Sequence, residues 1–257
     1  MNVLAMTDFQ PESSLVADVV PSPTYDERKD GRQPNIILLH YTGMQRAQEA
    51  LDRLCDPESQ VSAHYFVFED GRIVQSVQES RRAWHAGASH WAGETDINSS
   101  SIGVEIANPG HDFGYPDFPS RQIAAVIALC KGIIARRGIK PARVLAHSDV
   151  APSRKQDPGE KFPWRLLANS GVGEWVTPSR ISDKGPHFTF GDESDDVRGM
   201  QSAFADFGYG MPVNGQFDAA TRDVVAAFQR HFRPAQVDGI ADSSTLRTLH
   251  KLLAARR

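Results

Sequence analysis

Asn35-Ile36-Ile37-Leu38-Leu39-His40-Tyr41-Thr42 decides the fold class. Ile36 to Leu39 is an unbroken apolar run, which suits a strand buried on both faces of a sheet. The run stops at His40. A second strand, Arg143–Ala146, stops in the same way at His147-Ser148-Asp149. Working outward, Ser101–Ala107 reads as a further strand. Ala63–Phe68 and Ile73–Val77 read as a hairpin joined through Asp70-Gly71, a pair that favours a φ > 0 turn. A helix is expected over Met44–Leu54. Another starts with Ser120 as its cap, carries Ile123, Val126, Ile127, Cys130, Ile133 and Ile134 on one face, and stops at Gly138. Strands and helices mixed in this order give an α/β fold, a mixed central sheet flanked by helices.

The chain has 257 residues, enough for two units that each bury a core. With 40% apolar and 23% charged residues it has the make-up of a globular protein. The net charge is −4 and Lys/Arg blocks do not exceed short pairs such as Arg136-Arg137, so no nucleic-acid partner is expected. No apolar stretch approaches the ~18 residues that cross a bilayer, so no membrane span is expected. Asp8 and Glu12 interrupt the N-terminal stretch where an export leader would be apolar, which on its own points to the cytoplasm. Two cysteines are too few for a disulfide framework, and Cys130 reads as a small buried hydrophobe on a helix stripe.

Residues 1–33 are polar and punctuated by Pro11, Pro21 and Pro23, as expected of an extended arm. The mixed sheet occupies residues 34–175, and residues 176–190 have the Pro/Gly content of a linker. Residues 191–257 are expected to form a small all-α domain of three helices, Val197–Phe207, Thr221–Phe232 and Ser244–Ala254. An internal repeat precedes the last two. Asn214-Gly215 and Asp238-Gly239 each make a tight turn before Asp218 and Asp242, which can cap the following helix.

Of the nine histidines, two end predicted core strands: His40 and His147. Asp157 follows in the loop Arg154-Lys155-Gln156-Asp157-Pro158-Gly159. Functional side chains collect where core strands emerge into loops, because the sheet holds them rigidly there. Two imidazoles and a carboxylate form a ligand set that catalytic zinc sites use, with a fourth position kept for water. Any one of these histidines alone is more often a satisfied polar residue than a ligand, so the surrounding motifs must decide.

Six collinear motifs do so: Leu39-His40-Tyr41-Thr42, Ser62-Ala63-His64-Tyr65, Arg82-Ala83-Trp84-His85-Ala86-Gly87, Asn98 through Glu105, Ala146-His147-Ser148-Asp149, and Arg154 through Gly159. In them the chain resembles the type-2 N-acetylmuramoyl-L-alanine amidases, a family that includes the peptidoglycan-recognition proteins. The resemblance implies one zinc ion held by His40, His147 and Asp157. It further implies that Glu105 assists the attacking water, that Lys155 steadies the oxyanion, and that Trp84, His85 and Asn98 lie in segments lining the substrate groove. The implied substrate is peptidoglycan or a muropeptide, cut between the muramyl lactyl group and L-alanine. His64 is expected to be structural, His90 and His111 incidental, and His187, His231 and His250 to lie on the surface.

Val197-Arg198-Gly199-Met200-Gln201, Ala227-Phe228-Gln229 and the paired turns resemble the type 1 peptidoglycan-binding domain. Wall binding by this unit suits a periplasmic or wall-associated setting, which stands as the alternative to the cytoplasm. The competing function class is a recognition protein that binds muropeptide without cutting it. Such relatives typically lack the third ligand or the acid, whereas Asp157, Glu105 and Lys155 are all present here.

Overall fold

Elements over the first 175 residues run β1 (Val16–Val19), β2 (Tyr25–Glu27), β3 (Ile36–Tyr41), α1 (Ala47–Cys55), β4 (Tyr65–Val67), β5 (Ile73–Gln75), β6 (Arg81–Ala83), α2 (Ile97–Ser100), β7 (Ser101–Ile106), α3 (Ser120–Arg137), β8 (Val144–Ala146), α4 (His147–Val150) and α5 (Trp164–Asn169). Three longer helices follow: α6 (Asp195–Phe207), α7 (Ala219–Phe232) and α8 (Ser243–Ala255). The computed structural model describes residues 9–182 and 184–256. No helix among these is long and apolar enough to cross a membrane.

The six-stranded sheet has the order β1-β5-β4-β7-β3-β8. Its β4–β5 pair is antiparallel and its other pairs are parallel, so the sheet is mixed, as the sequence suggests. The hairpin turn falls at Asp70-Gly71, where Gly71 takes φ +87°. Period-two alternation divides the central strands between two cores. Ile37, Leu39, Ile102, Val104 and Ile106 pack on Ile123, Val126, Leu129, Cys130 and Ile133 of α3. On the opposite face Ile36, Leu38 and Leu145 belong to one contiguous apolar cluster with Trp91, Phe204, Phe207, Tyr209, Phe228 and Phe232. The helical unit therefore shares a core with the sheet.

Of the expected arm, residues 1–8 lie outside the described residues, and the rest is woven into the fold. β1 adds a parallel strand beside β5, and β2 pairs antiparallel with β6. Buried Arg28 anchors the connection, donating to the carbonyls of Glu79, Asn98, Ser99 and Ser101. An isolated buried guanidinium would be costly, and these four acceptors supply the partners it needs.

The repeat before α7 and α8 is a repeat of hydrogen bonds. Asp218 caps α7 by accepting from Thr221 N at 2.8 Å, and Asp242 caps α8 by accepting from Thr245 N at 2.7 Å. Buried Gln201 accepts from Asn214 N and Gly215 N, and buried Gln229 accepts from Asp238 N and Gly239 N. Each glutamine amide also donates to the threonine hydroxyl in the first turn of the next helix. Ser120 begins α3 rather than capping it, because Pro119 occupies the cap position.

Candidate metal centre

Parallel pairing sets the site. His40 ends β3 and is the register partner of Glu105 on β7. β8, on the other side of β3, runs directly into α4, whose first residue is His147. Asp157 comes back against this strand end on the following loop, where its carbonyl accepts from Ser148 N at 3.0 Å.

Three ligand atoms meet there. His40 Nδ1 lies 2.9 Å from His147 Nδ1 and 3.2 Å from Asp157 Oδ2, and His147 Nδ1 lies 3.0 Å from the same carboxylate oxygen. All three side chains are buried. The far nitrogens are held in ways that free the near ones. His147 Nε2 donates to the Ala86 carbonyl at 3.1 Å, and Nε2 of His40 is 3.0 Å from Nδ1 of His85. His85 in turn reaches Ser101 Oγ at 3.2 Å through its own Nε2. Because Nε2 of His147 donates to a carbonyl, its Nδ1 is left to face the carboxylate as a lone-pair donor, and His40 Nδ1 does the same in the tautomer whose Nε2 donates to His85. Three lone-pair donors at such separations repel one another unless a cation lies among them, and the donor set fits a divalent metal.

Burial and the neighbouring His147 lower the pKa of His40 to about 4, so it stays neutral and able to ligate. For Asp157, burial alone would raise the pKa, but His147 and His40 outweigh it and hold the carboxyl well below the usual range. Glu105 goes the other way. Burial first, and the Asp157 charge second, push it well above an ordinary carboxylate, against the pull of Lys155. Its Oε2 is buried without a hydrogen-bond partner among the described residues. A buried carboxyl perturbed in this way beside three potential ligands marks a candidate functional site.

A family model for N-acetylmuramoyl-L-alanine amidase matches residues 30–160, which contain all of these groups. The chain belongs to that amidase family. Residues 193–249 match a peptidoglycan binding domain. The chain is 38% identical over 234 residues to the N-acetylmuramoyl-L-alanine amidase AmiD of Escherichia coli, covering 85% of this chain and 82% of that protein. To the 1,6-anhydro-N-acetylmuramyl-L-alanine amidase AmpD of Salmonella typhimurium it is 35% identical, over 56% of this chain and 84% of that one. A solved complex of Escherichia coli AmiD with anhydro-N-acetylmuramic acid-L-Ala-D-gamma-Glu-L-Lys superposes with a TM-score of 0.74 at 34% identity, covering 90% of this chain and 98% of that chain.

In this amidase the His40/His147/Asp157 cluster and Glu105 open into a cleft of about 530 Å³, lined also by Trp84, His85, Arg154 and Lys155. Half-exposed Trp84 donates from its indole to Asp26 at 2.7 Å, so the N-terminal arm steadies one wall. His85 lies over Gly103, where a Cβ would come within 2.6 Å of the ring, so only glycine fits beneath it. Asn98 is not among the cleft-lining residues. It is buried, and its Oδ1 accepts from His85 N at 3.1 Å and Ala86 N at 2.8 Å. His64 is fully buried, with Nδ1 accepting from Gly103 N. His111, expected to be incidental, lines the cleft and bridges the Tyr41 hydroxyl at 2.9 Å to Glu160 at 3.1 Å. His231, expected on the surface, is 2% exposed and bonded to Asp149 at 2.7 Å. Local pattern could not show this, since its partner lies on a distant helix.

Proposed function

We propose that the chain is a zinc-dependent amidase that hydrolyses the bond between the lactyl group of N-acetylmuramic acid, or its 1,6-anhydro form, and L-alanine in muropeptides and peptidoglycan. The convergence of His40 Nδ1, His147 Nδ1 and Asp157 Oδ2 beside Glu105 carries this reading. When bound, the ion polarises the scissile carbonyl and acidifies a water molecule. Glu105 takes the proton of the attacking water and delivers it to the departing alanine nitrogen, a role its raised pKa suits. Lys155, on the cleft wall, offsets negative charge on the tetrahedral oxygen. Trp84 and His111, both lining the cleft, contribute surfaces for the glycan and peptide parts of the substrate.

The match to a peptidoglycan binding domain and the likeness to AmiD through both units favour work at the wall polymer as well as on soluble fragments. Binding to a polymer would raise the local concentration of cleavable stems. The test is hydrolysis of intact sacculi and of soluble anhydromuropeptide by the zinc-loaded protein. Release of L-alanine-bearing peptide is expected from both. Tight muropeptide binding without release would instead support the recognition-protein reading.

A further inference from the structure

The three-helix unit grips a residue two positions beyond the second proposed ligand. Asp149 sits in α4, two positions after His147, and is fully buried. Its Oδ2 accepts from Ala146 N at 2.8 Å, which fixes the start of α4, and from His231 Nδ1 of α7 at 2.7 Å. Its Oδ1 accepts from the Tyr209 hydroxyl, just beyond α6, at 2.8 Å. Both partners are locked in turn. The His231 ring is stacked between Trp164 of α5, at 3.7 Å, and Phe232, at 3.8 Å. Tyr209 packs edge-on against Trp91 at 5.0 Å. Trp91 is itself buried, and Ala92 N bonds across to the carbonyl of Gly208 at 2.8 Å.

A unit that served only to hold polymer would need neither a shared core nor buried polar ties to a ligand-bearing helix. We propose that the C-terminal helices are a structural part of the hydrolytic site, in which His231 and Tyr209 act as positioning residues that hold Asp149, and through it α4, so that His147 presents Nδ1 to the metal. This rests on the metal-centre reading above. Only Ser148 separates the gripped Asp149 from His147, and α4 (His147–Val150) is too short to hold its own geometry without the grip.

The experiment uses the full chain with Tyr209→Phe, His231→Ala and His231→Asn. Tyr209→Phe keeps the ring against Trp91 and removes only the hydroxyl. The Asn amide can take the place of the imidazole Nδ1–H. Circular dichroism fixes a temperature at which all variants are folded. There, Zn2+ affinity is read by competition with a chromophoric chelator, and kcat and KM are read on a soluble muropeptide. Removal of an orienting partner around a metal ligand commonly weakens metal binding 10- to 100-fold. Because they act through Asp149 and the α4 backbone, Tyr209→Phe and His231→Ala are expected at the low end, about 10-fold. A matching fall in kcat and unchanged KM should accompany this, with His231→Asn recovering most of it. Zn2+ affinity within twofold of the unmodified chain in both variants would overturn the proposal, even if they melt earlier. Should the unmodified chain bind Zn2+ but release no peptide, the amidase reading fails while the affinity comparison still decides this one.

Discussion

Glu105 is the in-register neighbour of His40 across β7 and β3, so an acid and a proposed ligand emerge side by side from the same face of the sheet. Ser101, Gly103 and Glu105 alternate along that face of β7. Ser101 meets His85, Gly103 leaves room for the His85 ring, and Glu105 reaches the cleft. The intervening Ile102, Val104 and Ile106 bury against α3. One strand thus supplies both the core and the chemistry through its period of two.

Replacing Glu105 by Gln keeps shape and removes the proton carrier. The kcat for muropeptide hydrolysis should fall by about 10²- to 10⁴-fold, with KM and bound metal little changed. The unpartnered buried Oε2 predicts that stability is held or improved. Steady-state kinetics, metal content and thermal melting decide it together. Retained activity would remove Glu105 from the mechanism.

Chelation should abolish turnover, and added Zn2+ should restore it. In Asp157→Ala only the two imidazoles remain, and restoration should fail at matched ion concentration. Free ion at about 100-fold over Kd should stabilise the unmodified chain by about 2.7 kcal/mol and the variant far less. Differential scanning calorimetry with and without Zn2+ measures both. An equal shift in the two proteins would place the metal elsewhere.

The strand ends, the hairpin and the caps of α7 and α8 were legible because each follows from a local pattern: apolar runs that stop, an Asp-Gly turn, an acid before a helix. The His40/His147/Asp157 set came from the resemblance of the surrounding motifs, not from spacing. What was not legible depends on contacts distant in sequence. Asp149 stands inside a motif singled out for His147, yet its partners lie 60 and 82 residues away. The polar N-terminal segment gave no strand pattern, because β2 is exposed and β1 is a half-buried edge, so burial left little mark on their composition. Asn98 sits within a motif tied to the groove, and only the coordinates show that its amide faces inward to the backbone.

Stability should fall in acid partly through His64. Burial, and then the Arg28 charge, lower its pKa from 6.5 to about 3. The unfolded chain therefore binds a proton that the folded one refuses between those values, and stability rises with pH across this window. Descending from pH 6.5 toward 3, this group removes up to about 1.4 kcal/mol per pH unit. His64→Asn keeps an acceptor for Gly103 N and cannot titrate. Urea unfolding from pH 7 to 4 should show a shallower loss in the variant. Parallel slopes would exclude His64 as a source of acid sensitivity.

Asn98→Ala separates two roles for that residue. As a groove contact it would raise KM and leave the metal untouched. The geometry points elsewhere: Oδ1 accepts two backbone N–H groups, those of His85 and Ala86. The carbonyl of that same Ala86 accepts from His147 Nε2, and the His85 ring meets His40. Loss of the acceptor leaves two buried donors unpaired, at about 1–3 kcal/mol each, and loosens the segment that orients both proposed histidine ligands. The expected result is a lower melting temperature, weaker Zn2+ binding and reduced kcat, with KM for a soluble muropeptide nearly unchanged. Asn98→Asp offers the same acceptor and should retain most of the metal affinity. A variant altered in KM alone would return Asn98 to the substrate.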